Sequence, residues 1–178
     1  MRIVVSGTHC TGKSTLIAAF AERHPAFEVF GDPYELAGGD VGVDSFVSQF
    51  QVSVGRLQRL SRGRDAVIER CPLDFLAYLE AWETLGRPGG AGAALPGLYE
   101  EAVLAMQEVE LLVLLPVAQA DGIHVPAEED LDLREETDAA LLALVDDPDL
   151  MPDSVRAIEV TGSGDRRLDL LEAALSGR

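Results

Sequence analysis

"RIVVSGTHCTGKST", residues 2–15, joins an apolar run of strand length to a turn bounded by two glycines, with a lysine and two hydroxyl residues directly behind it. Ile3 to Val5 read as a buried strand, 7–12 as a loop and 13–23 as a helix that carries Leu16, Ile17 and Phe20 on one face before Pro25. The spacing G-x-x-x-x-G-K-[ST] is a phosphate cradle with a physical logic. Its glycines let the backbone turn amides inward, the lysine reaches the outer phosphates, and the hydroxyl ligates Mg²⁺. Gly7, Gly12, Lys13 and Ser14 fill these positions. Thr8, His9, Cys10 and Thr11 supply the intervening amides, and Thr15 lies in the first turn of the helix, whose positive end faces the phosphates. Composition adds a second argument, because the chain uses arginine thirteen times and lysine once, and that lysine is Lys13. A compact ammonium fits among phosphate oxygens where a planar guanidinium does not. A bound nucleotide with Mg²⁺ is the expectation.

Further strand-length apolar runs, "FEVF", "AVIE", "LLVLL" and "VRAIEV", alternate with helical stripes. Phe46, Phe50, Val54, Leu57 and Leu60 recur every three or four residues and predict a helix over about 44–61. Pro72 opens another, to about Leu85, because proline is tolerated in a first turn. "GRPGGAGAALPG" reads as a loop before a helix over 99–108, and helices are expected over 131–146 and from Asp165. Residues 116–130 show no period, and a lid is expected there, over about 116–134. The alternation predicts an α/β protein, one domain over 1–178, with a parallel sheet covered on both faces.

Charge narrows the partners. At −17, with 31 acidic and 14 basic side chains, the surface repels nucleic acid and anionic lipid. The acidic stretch "PAEEDLDLREETD" reads as including a solvated helix face, since apolar residues interrupt it. No apolar run approaches the ~18 residues needed to cross a bilayer, and no basic leader precedes the first strand, which predicts a cytosolic protein. Cys10 and Cys71 lack zinc-ligand spacing and His9, His24 and His124 are scattered, so no structural metal is expected; the cysteines read as small fillers in a reduced compartment, with a redox bridge between the two strand ends as the alternative. The oligomeric state is open, a homodimer included.

A guanine-nucleotide switch needs an N-K-x-D element, yet the chain contains no asparagine, and no apolar strand ends in Asp-Glu as in motor ATPases. At the end of the third strand stands "ERCPLDFLAYLEA". Together with "GDPYE" and "SQFQVSVGRLQRL", "ERC" resembles the acidic-Pro, Phe-Gln and Glu-Arg-Ser elements of the deoxynucleoside kinases, in their order. "ERCPLDFLAYLEA" and the "DG" to "REETD" segment are also similar to the nicotinamide-riboside-kinase-like group of small P-loop proteins.

The resemblance implies a three-layer P-loop fold with sheet order 2-3-1-4-5 and a set of roles. Asp32 would be the base toward an incoming alcohol, although it is one methylene shorter than the family's Glu, and a turn cap before Pro33 is the other reading. Glu69 would hold Mg²⁺ through water and Arg70 would clamp phosphate oxygens, or the two form a salt-bridged strand end. Arg134 is the candidate lid arginine or half of a helix-surface pair; where the related group carries Arg after "DG", this chain has His124. Tyr34, Phe46, Gln49, Arg56, Phe75, Tyr78 and Trp82 could line an acceptor pocket, with Gln49 where the family's glutamine reads a base edge; aromatics at this spacing also build cores. Gln49 and Arg56 are expected opposite the apolar stripe. Gly162, in "TGSG", stands where such kinases pass backbone around adenine, or simply starts a helix. The activity implied is Mg²⁺-ATP-dependent transfer of a γ-phosphoryl group to a small neutral hydroxyl compound, a nucleoside first. The competing class is a regulatory nucleotide-binding protein that hydrolyses slowly.

Overall fold

In the computed structural model, residues 1–60, 63–118, 123 and 125–176 are described. Five strands, β1 (Arg2–Ser6), β2 (Glu28–Phe30), β3 (Ala66–Glu69), β4 (Leu111–Leu114) and β5 (Arg156–Glu159), pair in parallel in the order β2-β3-β1-β4-β5. Strand periodicity divides their side chains between two apolar layers. Ile3, Val5, Val67, Leu111 and Val113 pack with α1 (Lys13–Arg23) and α7 (Gly164–Ser176) through Leu16, Ile17, Phe20, Leu168 and Leu171. Val4, Ala66, Ile68, Leu112 and Leu114 face the larger layer of α3 (Val43–Arg59), α4 (Pro72–Thr84), α5 (Ala91–Met106) and α6 (Leu131–Val145). This sheet, covered on both faces, is the three-layer arrangement expected from the alternation, and the strand order agrees with the expected 2-3-1-4-5.

The central helix is α4, with buried residues around most of its circumference, including Leu73, Phe75, Leu76, Tyr78 and Leu79. Each such side chain removed from water contributes ~1.5–3 kcal/mol. Phe75 and Trp82 pack within this apolar layer and are not among the residues that line the cavity beside Asp32 described below. Among the described residues, no helix is long and apolar enough to cross a membrane.

Two local expectations are corrected. "GRPGGAGAALPG" is not a loop throughout, because α5 begins at Ala91 and carries Pro96 inside it. Its first turn is built against α4: Ala91 is buried and the Gly92 amide donates to Glu83 Oε2 at 3.0 Å. Helix-favouring alanines and tertiary contacts thus outweigh one proline. A four-residue helix, α2 (Tyr34–Ala37), also comes after "GDP", too short to show a period. The acidic stretch forms the start of α6, where Asp130 caps the helix by accepting from the Leu133 amide and Leu133, Arg134 and Thr137 are buried on its inner face.

Candidate active site

The carboxyl ends of β1, β2 and β3 release Gly7, Gly31–Asp32 and Arg70 at one edge of the sheet, where parallel α/β sheets place their ligands. A Cβ on Gly7 would lie 2.6 Å from the Leu115 carbonyl oxygen, and Gly12 sits at φ 86°, so both cradle glycines are required by geometry. Cys10 and Arg70, at φ 52° and 65°, are the described non-glycine residues in the left-handed region, and both border this edge.

Lys13 is buried and its Nζ donates to the Thr8 carbonyl at 2.7 Å. Burial, then the nearby Arg70 charge, lowers its pKa to about 7. Ser14 Oγ donates to Glu69 Oε1 at 3.0 Å. Glu69 is only 4% exposed and makes no ion pair with a described residue, and burial pushes its carboxyl upward. A buried carboxylate facing a hydroxyl beside a phosphate cradle fits a hard divalent cation. The alternative of a salt-bridged strand end holds for Arg70, which pairs with Asp32 and Asp74, and not for Glu69.

Arg70 Nε donates to Asp32 Oδ2 at 2.8 Å, and Nη1 donates to the Gly7 carbonyl at 3.0 Å and to Tyr78 Oη at 3.4 Å. Asp74 Oδ1 lies 3.7 Å away. Burial works against the guanidinium, but these acids outweigh it and hold it charged. Burial likewise opposes ionisation of Asp32, and Arg70 overcomes that, so its carboxyl titrates below the ordinary value. The turn-capping role is present too, since Asp32 Oδ1 accepts from the Tyr34 amide at 3.0 Å. One oxygen fixes the turn while the other meets Arg70.

Asp32 and Arg70 form one wall of a cavity of about 360 Å³ that is also lined by His9, Tyr34, Glu35, Val41, Ser45, Phe46, Gln49 and Tyr78. The Phe46 and Tyr78 rings stack at 5.0 Å. Gln49 donates through Nε2 to Ser45 Oγ at 2.9 Å and is buried on the apolar side of α3, not opposite it. Arg56 is the second correction within that pair. It does not reach this cavity; its Nη1 donates to the Gly31 carbonyl, because further along α3 it faces the far side of α2. His9 bridges cavity and cradle, with Nδ1 2.8 Å from Tyr78 Oη, and burial followed by Arg70 and Lys13 lowers its pKa to about 3, so it stays neutral.

Arg134 is not a helix-surface pair. It is buried and donates from Nε to the His9 carbonyl at 3.0 Å and from Nη2 to the Cys10 carbonyl at 3.4 Å, bracing the cradle from α6. His124, and 119–122 of the expected lid, lie outside the described residues. Gly162 lines a separate cavity of about 320 Å³ with Gly12, Thr15, Leu16, Arg167 and Leu168, between α1 and α7 on the opposite side of the cradle from Asp32.

No protein-family model and no curated protein matches the sequence. Solved structures match over nearly its whole length. A deoxyadenosine kinase from M. mycoides with dCMP and dCDP bound superposes with a TM-score of 0.69 at 13% identity, over 99% of this chain and 98% of that one. The fold is that of the P-loop kinases. A thymidylate kinase from Candida albicans aligns with a TM-score of 0.63 at 14% identity, over 98% and 90% of the two chains. YorR from Bacillus subtilis, in complex with phosphorylated GDP, gives 0.58 at 12% identity, over 99% and 96%.

Two residues of this P-loop kinase fold escaped the sequence reading. Asp74 is 1% exposed and accepts from Ser6 Oγ at 2.6 Å, the Gly7 amide at 3.0 Å and the Cys71 amide at 2.8 Å. Its signal was legible as the third position of a helix opened by Pro72, where an acid closes a capping box. Arg167 donates to the Thr11 carbonyl at 2.5 Å from α7, and nothing in "DRRLDLL" announces that reach.

Proposed function

We propose that this protein is a Mg²⁺-ATP-dependent kinase that transfers the γ-phosphoryl group to a hydroxyl of a small neutral molecule, with a nucleoside as the first candidate. The observation that carries this reading is the position of Asp32. Arg70, at 2.8 Å, holds its carboxyl below the ordinary value against the effect of burial, and it stands on the wall of an aromatic-lined cavity that shares His9 with the phosphate cradle. In the transfer, the acceptor oxygen bonds to the γ-phosphorus, the bond to the bridging oxygen breaks, and ADP leaves with its electron pair. Asp32 aims the hydroxyl and takes its proton. Lys13 and Arg70 offset charge on the moving group, with the braced cradle keeping them in register. Ser14 and Glu69 would hold Mg²⁺, which supplies charge neutralisation on the phosphates. The cavity beside Gly162 suits the donor base, and the Phe46–Tyr78 stack and Gln49 suit a flat acceptor.

The similar folds include kinases named for a nucleoside and for a nucleotide acceptor, and charge favours the nucleoside reading for this chain. Asp32 and Glu35 place two carboxylates on the acceptor cavity against the one cation Arg70, which disfavours a phosphorylated acceptor. An ADP-release screen over nucleosides, their monophosphates, sugars and antibiotics tests this. Release driven by nucleosides is expected; release driven by monophosphates alone overturns the base assignment. Asp32→Asn should lower kcat by ~10²–10⁴-fold while ATP affinity by calorimetry stays within about twofold. Equal loss of ATP binding would mean that Asp32 serves the cradle instead.

A further inference from the structure

Behind the acceptor cavity, on the far side of α2, lies a second cavity of about 300 Å³ lined by Glu28, Phe30, Leu36, Arg56, Arg59, Leu60 and Arg64. Three of the chain's thirteen arginines line it with one carboxylate, in a protein of net charge −17, and Arg56 also feels the charges of Asp32, Glu35 and Glu69 from the acceptor side. Arg64 pairs with Glu28 at 3.2 Å, and Arg56 donates to the Gly31 carbonyl. Arg59 makes no ion pair or hydrogen bond with a described residue, and it stands one turn from Arg56 on α3, a like-charge spacing that costs helix stability when unanswered. Apolar walls complete the cavity: Phe30, Leu60 and Leu36, the last 71% exposed.

We propose that this cavity is a second ligand site, for a small phosphorylated molecule with a flat apolar body, and that its occupant bears on the acceptor side. Guanidinium forks suit phosphate oxygens in paired hydrogen bonds, and the walls offer a face for an apolar ring. The link to chemistry is short. The residues from Gly31 to Ala37 separate the two cavities: Asp32, Tyr34 and Glu35 line the acceptor cavity, Leu36 lines the basic one, and Arg56 holds the carbonyl just before Asp32. A ligand engaging Arg56, Arg59 and Arg64 therefore grips the segment that carries Asp32. The site stands on its own residues and does not depend on which acceptor the front cavity takes.

Calorimetric titration of 1-naphthyl phosphate into the full chain, saturated with Mg²⁺ and a non-hydrolysable ATP analogue, tests the site. Arg59→Ala/Arg64→Ala should weaken this binding at least tenfold and leave affinity for the ATP analogue unchanged. The Arg59→Lys/Arg64→Lys pair should retain part of it. Hydrogen exchange should slow over 31–37 on addition of 1-naphthyl phosphate to the wild type. Absence of binding, binding indifferent to the alanine pair, or protection confined to the 7–15 cradle would each overturn the proposal.

Discussion

At the scale of single residues, the lysine that composition singled out is the one whose burial matters most. Lys13 stands in a site that lowers its pKa to about 7, so in the free protein it is largely neutral at pH 8. A bound triphosphate favours the ammonium and raises that pKa again. ATP binding at pH 8 should therefore take up close to one proton, read as a slope of calorimetric enthalpy against buffer ionisation enthalpy. Below pH 6 the lysine is already charged and the uptake should vanish; an unchanged slope across this range would contradict the burial argument. The sequence named Lys13, Ser14 and Glu69 because their chemistry is local to motifs. Arg56 was misplaced for a reason at the same scale, since helical spacing fixes a residue's angle on α3 but not which side of α2 it will meet.

At the scale of elements, the cradle is held from three helices that arrive from distant parts of the chain. Asp74 on α4 ties Gly7 to the start of the connection after β3, Arg134 on α6 takes the carbonyls of His9 and Cys10, and Arg167 on α7 takes that of Thr11. Asp74→Ala removes three buried hydrogen bonds and leaves Arg70 with one acid fewer. The expected cost is ~3–5 kcal/mol in urea unfolding, with Asp74→Asn milder. Arg134→Ala should weaken ATP binding about tenfold, the equivalent of ~1.4 kcal/mol. Arg134→Lys should recover little of it, because the planar fork spans two carbonyls and a single ammonium does not. The helices themselves were legible where period and caps agreed, as in α3, α4 and α6. The start of α5 was not, because glycine and proline in "GRPGGAGAALPG" signal a loop locally, while the packing that makes Ala91–Met106 helical comes from α4.

Over the whole molecule, 31 acids against 14 bases repel one another through solvent, and added salt screens that repulsion. Melting temperature at neutral pH should rise from about 0.02 M to about 0.5 M NaCl, measured by calorimetry without nucleotide. A fall would show that specific surface pairs outweigh the net charge. The sequence alone determined the α/β class, the number of strands and the phosphate cradle, because periodicity and a contiguous motif are properties of neighbouring residues. Resemblance supplied the sheet order. Only tertiary structure decided that Asp32 meets Arg70, that Arg134 and Asp74 grip the cradle, and that α2 stands between two cavities. Those contacts join residues tens of positions apart, and their geometry exists only once both apolar faces of the sheet are covered.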